Sequence, residues 1–168
     1  MMQLTTILDD LRNNIADFIK KSQNKTVVFD FDGTLTKFKY GEDSLLPCKR
    51  QDFVDFVSSG GNFYKNVVMQ KTMLYIIEQI GYENVWILTT SVPEIRELKT
   101  KVILENLNIM PEHIIHSDSD AHKVELLKDL HNKEKKDIIF VEDTIYTIIS
   151  AEDNLDYVKG YHISSMIP

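Results

Sequence analysis

The 168-residue sequence predicts an α/β protein folded as one domain over residues 1–168. Three observations lead there. Short runs rich in β-branched and aromatic residues recur at 26–29, 85–88, 114–116, 138–141 and 157–163. Segments with apolar residues at helical spacing stand between them. With 43% apolar residues, the chain can also bury a full core. Strands alternating with helices require crossover connections, which build a parallel sheet covered on both faces. The expected architecture is a Rossmann-like three-layer α/β/α sandwich with a central parallel sheet of about five strands. Residues 1–23 form its N-terminal helix, and 37–68 a small flap or minimal cap inserted after the first strand.

Taken in order, Leu4, Ile7, Leu8, Leu11, Ile15, Phe18 and Ile19 draw one apolar stripe on a helix over 3–21 that packs on the domain. Ser22 to Lys25 is a polar connection. Thr26 to Phe29 carries no charge and reads as a buried strand. Asp30 and Asp32 follow, and Gly33 permits a tight turn. Residues 37–68 are the least regular part, with Gly41, Pro47, Gly60 and Gly61, and Asp52 to Val57 suits a short helix. The aromatic load there (Phe38, Tyr40, Phe53, Phe56, Phe63, Tyr64) fits either a small hydrophobic mini-core or a flap over a pocket.

Met73, Ile76, Ile77 and Ile80 repeat at helical spacing, with Gly81 as C-cap. Val85 to Leu88 is a strand closed by Thr89, Thr90 and Ser91. Ser91-Val-Pro-Glu94 reads as a capping box opening a helix to about Leu107, with Ile95, Leu98, Val102 and Leu107 inward. Ile114 to His116 is a short strand, and Asp120 caps a helix carrying Val124, Leu127 and Leu130. Lys133 to Asp137 reads as a solvated loop. Ile138 to Val141 is an apolar strand ending in Glu142-Asp143, and a short helix through Ile145, Ile148 and Ile149 follows. Tyr157 to Ile163 is an edge strand weakened by Gly160.

In open parallel sheets ligands bind beyond the carboxyl ends of the strands. Those ends carry Asp30 and Asp32, then Thr89, then Glu142 and Asp143, with Lys123 in the first turn of the helix after the 114–116 strand. Two acids ending the most apolar strand are expensive unless paired. A bound cation offsets that cost, and Mg²⁺ favours carboxylate oxygens. An ordinary Asp-Gly turn is the bland alternative; Lys123 alone would read as a solvated helix lysine. If Glu142 and Asp143 both remain strand-like, they point to opposite faces, and only one approaches Asp30.

Asp30-Phe-Asp-Gly-Thr-Leu-Thr36 resembles the first motif of the haloacid dehalogenase-like superfamily, mostly Mg²⁺-dependent phosphatases. Thr89, Lys123 and Glu142-Asp143 match its second, third and fourth motifs in the same order, so the resemblance covers roughly residues 24–163. One departure is visible: the common Gly-Asp-x-x-x-Asp form of the fourth motif is absent. Glu142 stands at its glycine and Thr147 at its second acid.

The resemblance implies that the Asp30 strand is central, Asp30 the nucleophile and Asp32 the general acid and base. Thr89 and Lys123 then contact the phosphoryl group, joined by the Gly33-Thr34 turn amides, and Thr90 or Ser91 could share the role of Thr89. Mg²⁺ is the implied cofactor, held by Asp30, Asp143 and the Asp32 carbonyl, with Glu142 behind. A phosphatase acting on a phosphorylated substrate is expected, with a phosphomutase or phosphotransferase of the same fold, or a silent binding protein, as alternatives.

Other features narrow the class. A net charge of −7 argues against a general nucleic-acid binder, though not against a phosphorylated end as substrate. Cys48 is the only cysteine, so no internal disulfide forms and a reducing, cytoplasmic setting is expected. No apolar run approaches the ~20 residues of a membrane span, and Asp9 and Asp10 interrupt any signal-peptide core. His113 and His116 flank a strand and would point to opposite faces if both belong to it, a poor spacing for a metal pair, whereas His122, beside Lys123, could touch a substrate. With about thirty residues in the insert, an open site is expected, completed in one version by a second subunit of a homo-oligomer.

Overall fold

A computed structural model describes residues 4–38, 55, 56 and 58–166. Five parallel strands form the central sheet: β1 (Thr26–Phe29), β4 (Val85–Thr90), β5 (Ile114–Ser117), β6 (Ile138–Glu142) and β7 (Val158–His162), in the spatial order β5-β4-β1-β6-β7. β1 sits in the middle, with Phe29 level with Ile87 on one side and Val141 on the other. A two-stranded antiparallel hairpin, β2 (Thr36–Phe38) with β3 (Val67–Met69), stands apart from the sheet.

Alternation along the strands sends side chains to two separate cores. Val27, Phe29, Ile87, Ile139 and Val141 face α1 (Leu4–Lys21), α2 (Lys71–Ile80) and α3 (Pro93–Asn106) through Phe18, Met73, Ile76, Ile77 and Ile103. Val28, Trp86, Leu88 and Phe140 face α4 (Asp120–Glu134) and α5 (Ile145–Asn154) through Leu127, Leu130 and Ala151. Each fully buried side chain of this size contributes about 1.5–3 kcal/mol relative to exposure. Both faces being covered explains why the strands read as continuous apolar runs rather than alternating ones.

Several local expectations change. The capping box at Ser91 does not form: Val92 is the N-cap of α3 and makes no side-chain cap bond, while Pro93 opens the helix. Ser91 is instead buried, its backbone N–H bonded to Ser117 O and its hydroxyl sharing a 2.9 Å hydrogen bond with His116 Nδ1. A half-buried imidazole with both ring nitrogens turned into the protein needs partners more than a solvent-side helix end needs a cap. Ser119, not Asp120, caps α4, accepting from His122 N–H, and Asp120 is its first residue. The expected loop at 133–137 begins two residues late, because Lys133 and Glu134 continue α4 until Lys135 turns left-handed at φ 57°.

Gly160 is not a weakness. A Cβ there would lie 2.3 Å from Ile148 Cγ2, so its absence lets α5 close on β7. Of the three isoleucines of α5 only Ile148 is buried, while Ile145 and Ile149 stand exposed. In the insert, Asp55 and Phe56 are helical, but the rest of the helix expected over 52–57, and Cys48, lie outside the described residues. Among the described residues no helix is long and apolar enough to cross a membrane.

Candidate active site

Asp30 follows the last residue of β1, and its N–H still bonds to Val141 O at 2.9 Å, so the central strand's ladder fixes its position. It is 4% exposed. The chain then turns tightly over 31–35, closed by Leu35 N–H and Thr36 N–H donating to Phe31 O. Gly33 adopts φ 81°, and a Cβ on it would fall 2.1 Å from Asp143 Oδ2. Both the conformation and the close approach therefore require glycine. Gln70, buried just before α2, buttresses this turn: its Nε2 donates to Gly33 O at 3.3 Å and Thr34 O at 3.0 Å.

Lys123 comes to Asp30 from the α4 face. Its Nζ donates to Asp30 Oδ1 at 2.9 Å and Glu142 Oε2 at 2.7 Å, with Asp120 Oδ1 at 3.6 Å. Burial pushes the Asp30 carboxyl upward, and the Lys123 charge pulls against it. Burial and the Asp30 charge likewise raise Glu142, again opposed by Lys123. For Lys123 burial acts to lower the ammonium's pKa, but the two carboxylates outweigh it and raise it. Lys123 therefore stays charged.

Glu142 uses both oxygens within the protein, one for Lys123 and the other accepting from Thr144 N–H at 3.2 Å. Asp143 lies beyond the strand, in a bend, so alternation does not separate the pair. One carboxylate oxygen from each of Asp30, Glu142 and Asp143 falls within 4.8 Å of the others. Asp143 is exposed; its backbone carbonyl accepts from His162 Nε2 at 2.8 Å, which fixes the bend. Hard carboxylate oxygens in this number suit a divalent cation of the Mg²⁺ type.

On the other side of Asp30, Thr89 is fully buried at the end of β4. Thr90 and Ser91 point their hydroxyls elsewhere: Thr90 Oγ1 donates to Asp120 Oδ1 at 2.7 Å, and Ser91 serves His116. Asp32 Oδ2 accepts from Lys99 Nζ at 2.6 Å and from Tyr64 Oη at 3.4 Å. Tyr64 belongs to the inserted segment and packs on Phe31, with ring centroids 6.0 Å apart. Burial, then the Asp32 charge, holds its hydroxyl well above the usual phenol range, so it remains a donor. Thr34 Oγ1 and Asp32 Oδ1 are buried with no hydrogen-bond partner among the described residues.

Thus Asp30, Asp32, Thr89, Lys123, Glu142 and Asp143 are gathered at one sheet edge, while Thr90 stands at its rim, bonded to Asp120. His113 ends the short turn Pro111–His113 ahead of β5 while His116 lies on β5, so the two do not share the strand. His113 stacks on Trp86, and His116 lies between Ser91 and Thr100. His122 is half-buried beside Lys123, 3.7 Å from Asp118, whose other oxygen pairs with Arg96.

Lys99, Gln70 and His162 contribute to the site without having been read from the sequence, and Tyr64 was read only as one of the insert's aromatics. For Lys99 a signal existed. Ile95, Lys99 and Ile103 lie four residues apart on α3 and are all buried, so this lysine occupies an apolar stripe. No family model matches this chain, and neither a curated protein nor a solved structure matches it.

Proposed function

We propose that this chain is a Mg²⁺-dependent phosphatase of the haloacid dehalogenase-like kind, hydrolysing a phosphate monoester through an aspartyl-phosphate on Asp30. The observation that carries the reading is the pairing of two acids at the end of the central strand with two separate buried lysines, Lys123 on Asp30 and Lys99 on Asp32. A structural ion pair would need neither the second acid–lysine couple nor the acidic pair beside it. Carboxylates outnumber ammonium groups here: Asp30, Asp32, Asp120, Glu142 and Asp143 stand around Lys99 and Lys123, with burial working against full ionisation of Asp30 and Glu142. A divalent cation would offset that crowding of acids.

Asp30, Asp143 and the Asp32 backbone carbonyl would hold the ion, with Glu142 kept behind by Lys123 and the Thr144 amide. When bound, Mg²⁺ neutralises the phosphoryl oxygens that would otherwise repel the attacking carboxylate. Asp30 attacks phosphorus and the ester P–O bond breaks. The leaving oxygen takes its proton from Asp32. Asp32 then accepts a proton from water, which attacks the aspartyl-phosphate, releases inorganic phosphate and restores the Asp30 carboxylate. Thr89 and the amides of the Gly33-Thr34 turn hold phosphoryl oxygens as charge shifts between them.

Hydrolysis of an aryl phosphate by the purified chain, with and without Mg²⁺, tests this. Turnover should require the metal, fall to background in Asp30→Asn, and leave acid-stable-trapped phosphate on Asp30 when Asp32 is changed to Asn. A metal-independent rate, or normal turnover by Asp30→Asn, would overturn the reading.

A further inference from the structure

Asp32 is 36% exposed in its side chain, yet its Oδ1 is out of reach of solvent and unpartnered among the described residues. The oxygen with access to the site is therefore Oδ2, the one that Lys99 holds at 2.6 Å. Lys99 itself is only 1% exposed and comes from α3, on the sheet face opposite to α4. Its three N–H donors meet three acceptors: Asp32 Oδ2, Thr89 Oγ1 at 3.1 Å and Thr90 O at 2.7 Å. An ammonium has three donors and no more. Lys99 thus has none to spare for a phosphoryl oxygen, and its two anchors on β4 fix where it holds Asp32.

We infer, on the basis of the phosphatase reading above, that Lys99 is a positioning residue for proton transfer. It aims the accessible oxygen of Asp32 at the leaving group and stabilises the negative charge left on that oxygen once the proton has moved. Tyr64 supports the same oxygen from the inserted segment through a longer bond of 3.4 Å. Thr89 connects the two halves of the site, because the Lys99 ammonium that grips its hydroxyl also grips Asp32.

Such a role makes Lys99 matter in proportion to how badly the leaving oxygen needs a proton. General acid catalysis supplies roughly 10²–10⁴-fold for groups that cannot leave as anions. The test is kcat/KM of the full chain over a series running from dinitrophenyl phosphate to an alkyl phosphate, with Mg²⁺ present. In Lys99→Met the ratio of kcat/KM on dinitrophenyl phosphate to that on the alkyl ester should rise on the order of 100-fold. Tyr64→Phe should tilt the series in the same direction by a few-fold.

A uniform loss across the series, with raised KM, would overturn the inference by making Lys99 a ligand of the phosphoryl group. Kinetics unchanged across the series would overturn it by making Lys99 purely structural. Removing one member of a buried ion pair endangers folding, so a double variant gives a second route. Asp32→Asn with Lys99→Met leaves no unpaired charge and should match Asp32→Asn alone, since Lys99 acts through Asp32. A double variant tenfold slower than Asp32→Asn overturns the inference. These outcomes leave the phosphatase reading standing; an unaltered chain that hydrolyses no phosphate ester with Mg²⁺ removes that reading and the inference with it.

Discussion

Lys123 and Lys99 are two buried ammonium groups that reach one sheet edge from opposite faces, and they are built into different company. Lys123 emerges from α4 among carboxylates: Asp30, Glu142 and, farther off, Asp120. Lys99 emerges from α3 and divides itself between one carboxylate and two neutral oxygens of β4. On the proposed reading, the first balances charge around Asp30 as nucleophile, and the second locates Asp32 as proton carrier relative to a strand end. A buried charge is tolerated in both places because each ammonium is hydrogen-bonded to at least one carboxylate, but the consequence of removing it should differ.

The largest expected effect is on the Lys123 side. Lys123→Met leaves Asp30 and Glu142 buried next to each other without a counter-charge, and breaking a buried pair in this way costs about 3–5 kcal/mol. Urea unfolding should show a loss of that size at neutral pH, together with loss of activity. A loss below about 1 kcal/mol would mean that the two acids are held neutral instead, and would erase the contrast between the lysines.

Gly33 comes next, because it belongs to neither lysine but to the gap between the strand ends. Gly33→Ala places a side chain at positive φ, costing about 1–2 kcal/mol, and its Cβ would meet the carboxylate end of the exposed Asp143 side chain, which must move aside. A destabilisation of about 1–2 kcal/mol is expected. Because Asp143 is displaced, the Mg²⁺ requirement for aryl phosphate hydrolysis should rise as well. An alanine variant with unchanged stability and metal requirement would show that the turn and the bend at Asp143 move apart freely.

A smaller effect separates Asp143 from Glu142. Glu142 has given both oxygens to Lys123 and the Thr144 amide, whereas Asp143 Oδ1 meets only Thr144 Oγ1, at 3.4 Å. Asp143→Asn should therefore raise the Mg²⁺ concentration for half-maximal activity by roughly tenfold, equivalent to about 1.4 kcal/mol. Glu142→Gln should raise it less. The reverse order in a metal titration would assign the ligand to Glu142.

Legibility in the sequence followed the same division. Apolar runs and helical spacing located the five strands of the sheet because those elements are buried on both faces or along one stripe, where composition is constrained. Asp30, Asp32, Thr89, Lys123, Glu142 and Asp143 were visible because strand ends and a first helical turn have fixed places relative to a parallel sheet. Lys99 sits in mid-helix, so no boundary points to it. Its only trace is a lysine at the fourth-residue spacing of Ile95 and Ile103, a position where apolar side chains are the rule. Ser91 was misread because its sequence neighbours offered a capping box, whereas its real partner, His116, is 25 residues away and meets it only through the pairing of β4 with β5.

His116 gives the smallest expected effect, and it tests the Lys99 side at a distance. Its two ring nitrogens are taken by Ser91 Oγ at 2.9 Å and Thr100 Oγ1 at 2.8 Å, next to the residue that reaches Asp32. Burial, then the charges of Lys99 and Arg96, lowers its pKa to about 4 from an ordinary value of 6.5. The unfolded chain therefore binds more protons than the folded one between those values. It follows that folding stability conferred at this site is intact above pH 6.5 and is lost as pH falls from there towards 4. Because the ring is only half-buried, solvent screening reduces the effect, and a loss on the order of 1 kcal/mol between pH 7 and pH 5 is expected. His116→Gln keeps a donor and an acceptor without the titration. The difference in unfolding free energy between the two proteins should be flat above pH 7 and shift in favour of glutamine below pH 6. In a Lys99→Met background the shift should shrink, because one of the charges opposing protonation has gone. Parallel pH profiles for wild type and His116→Gln would show that the ring titrates as it does in water and that α3 does not press the Lys99 charge against it.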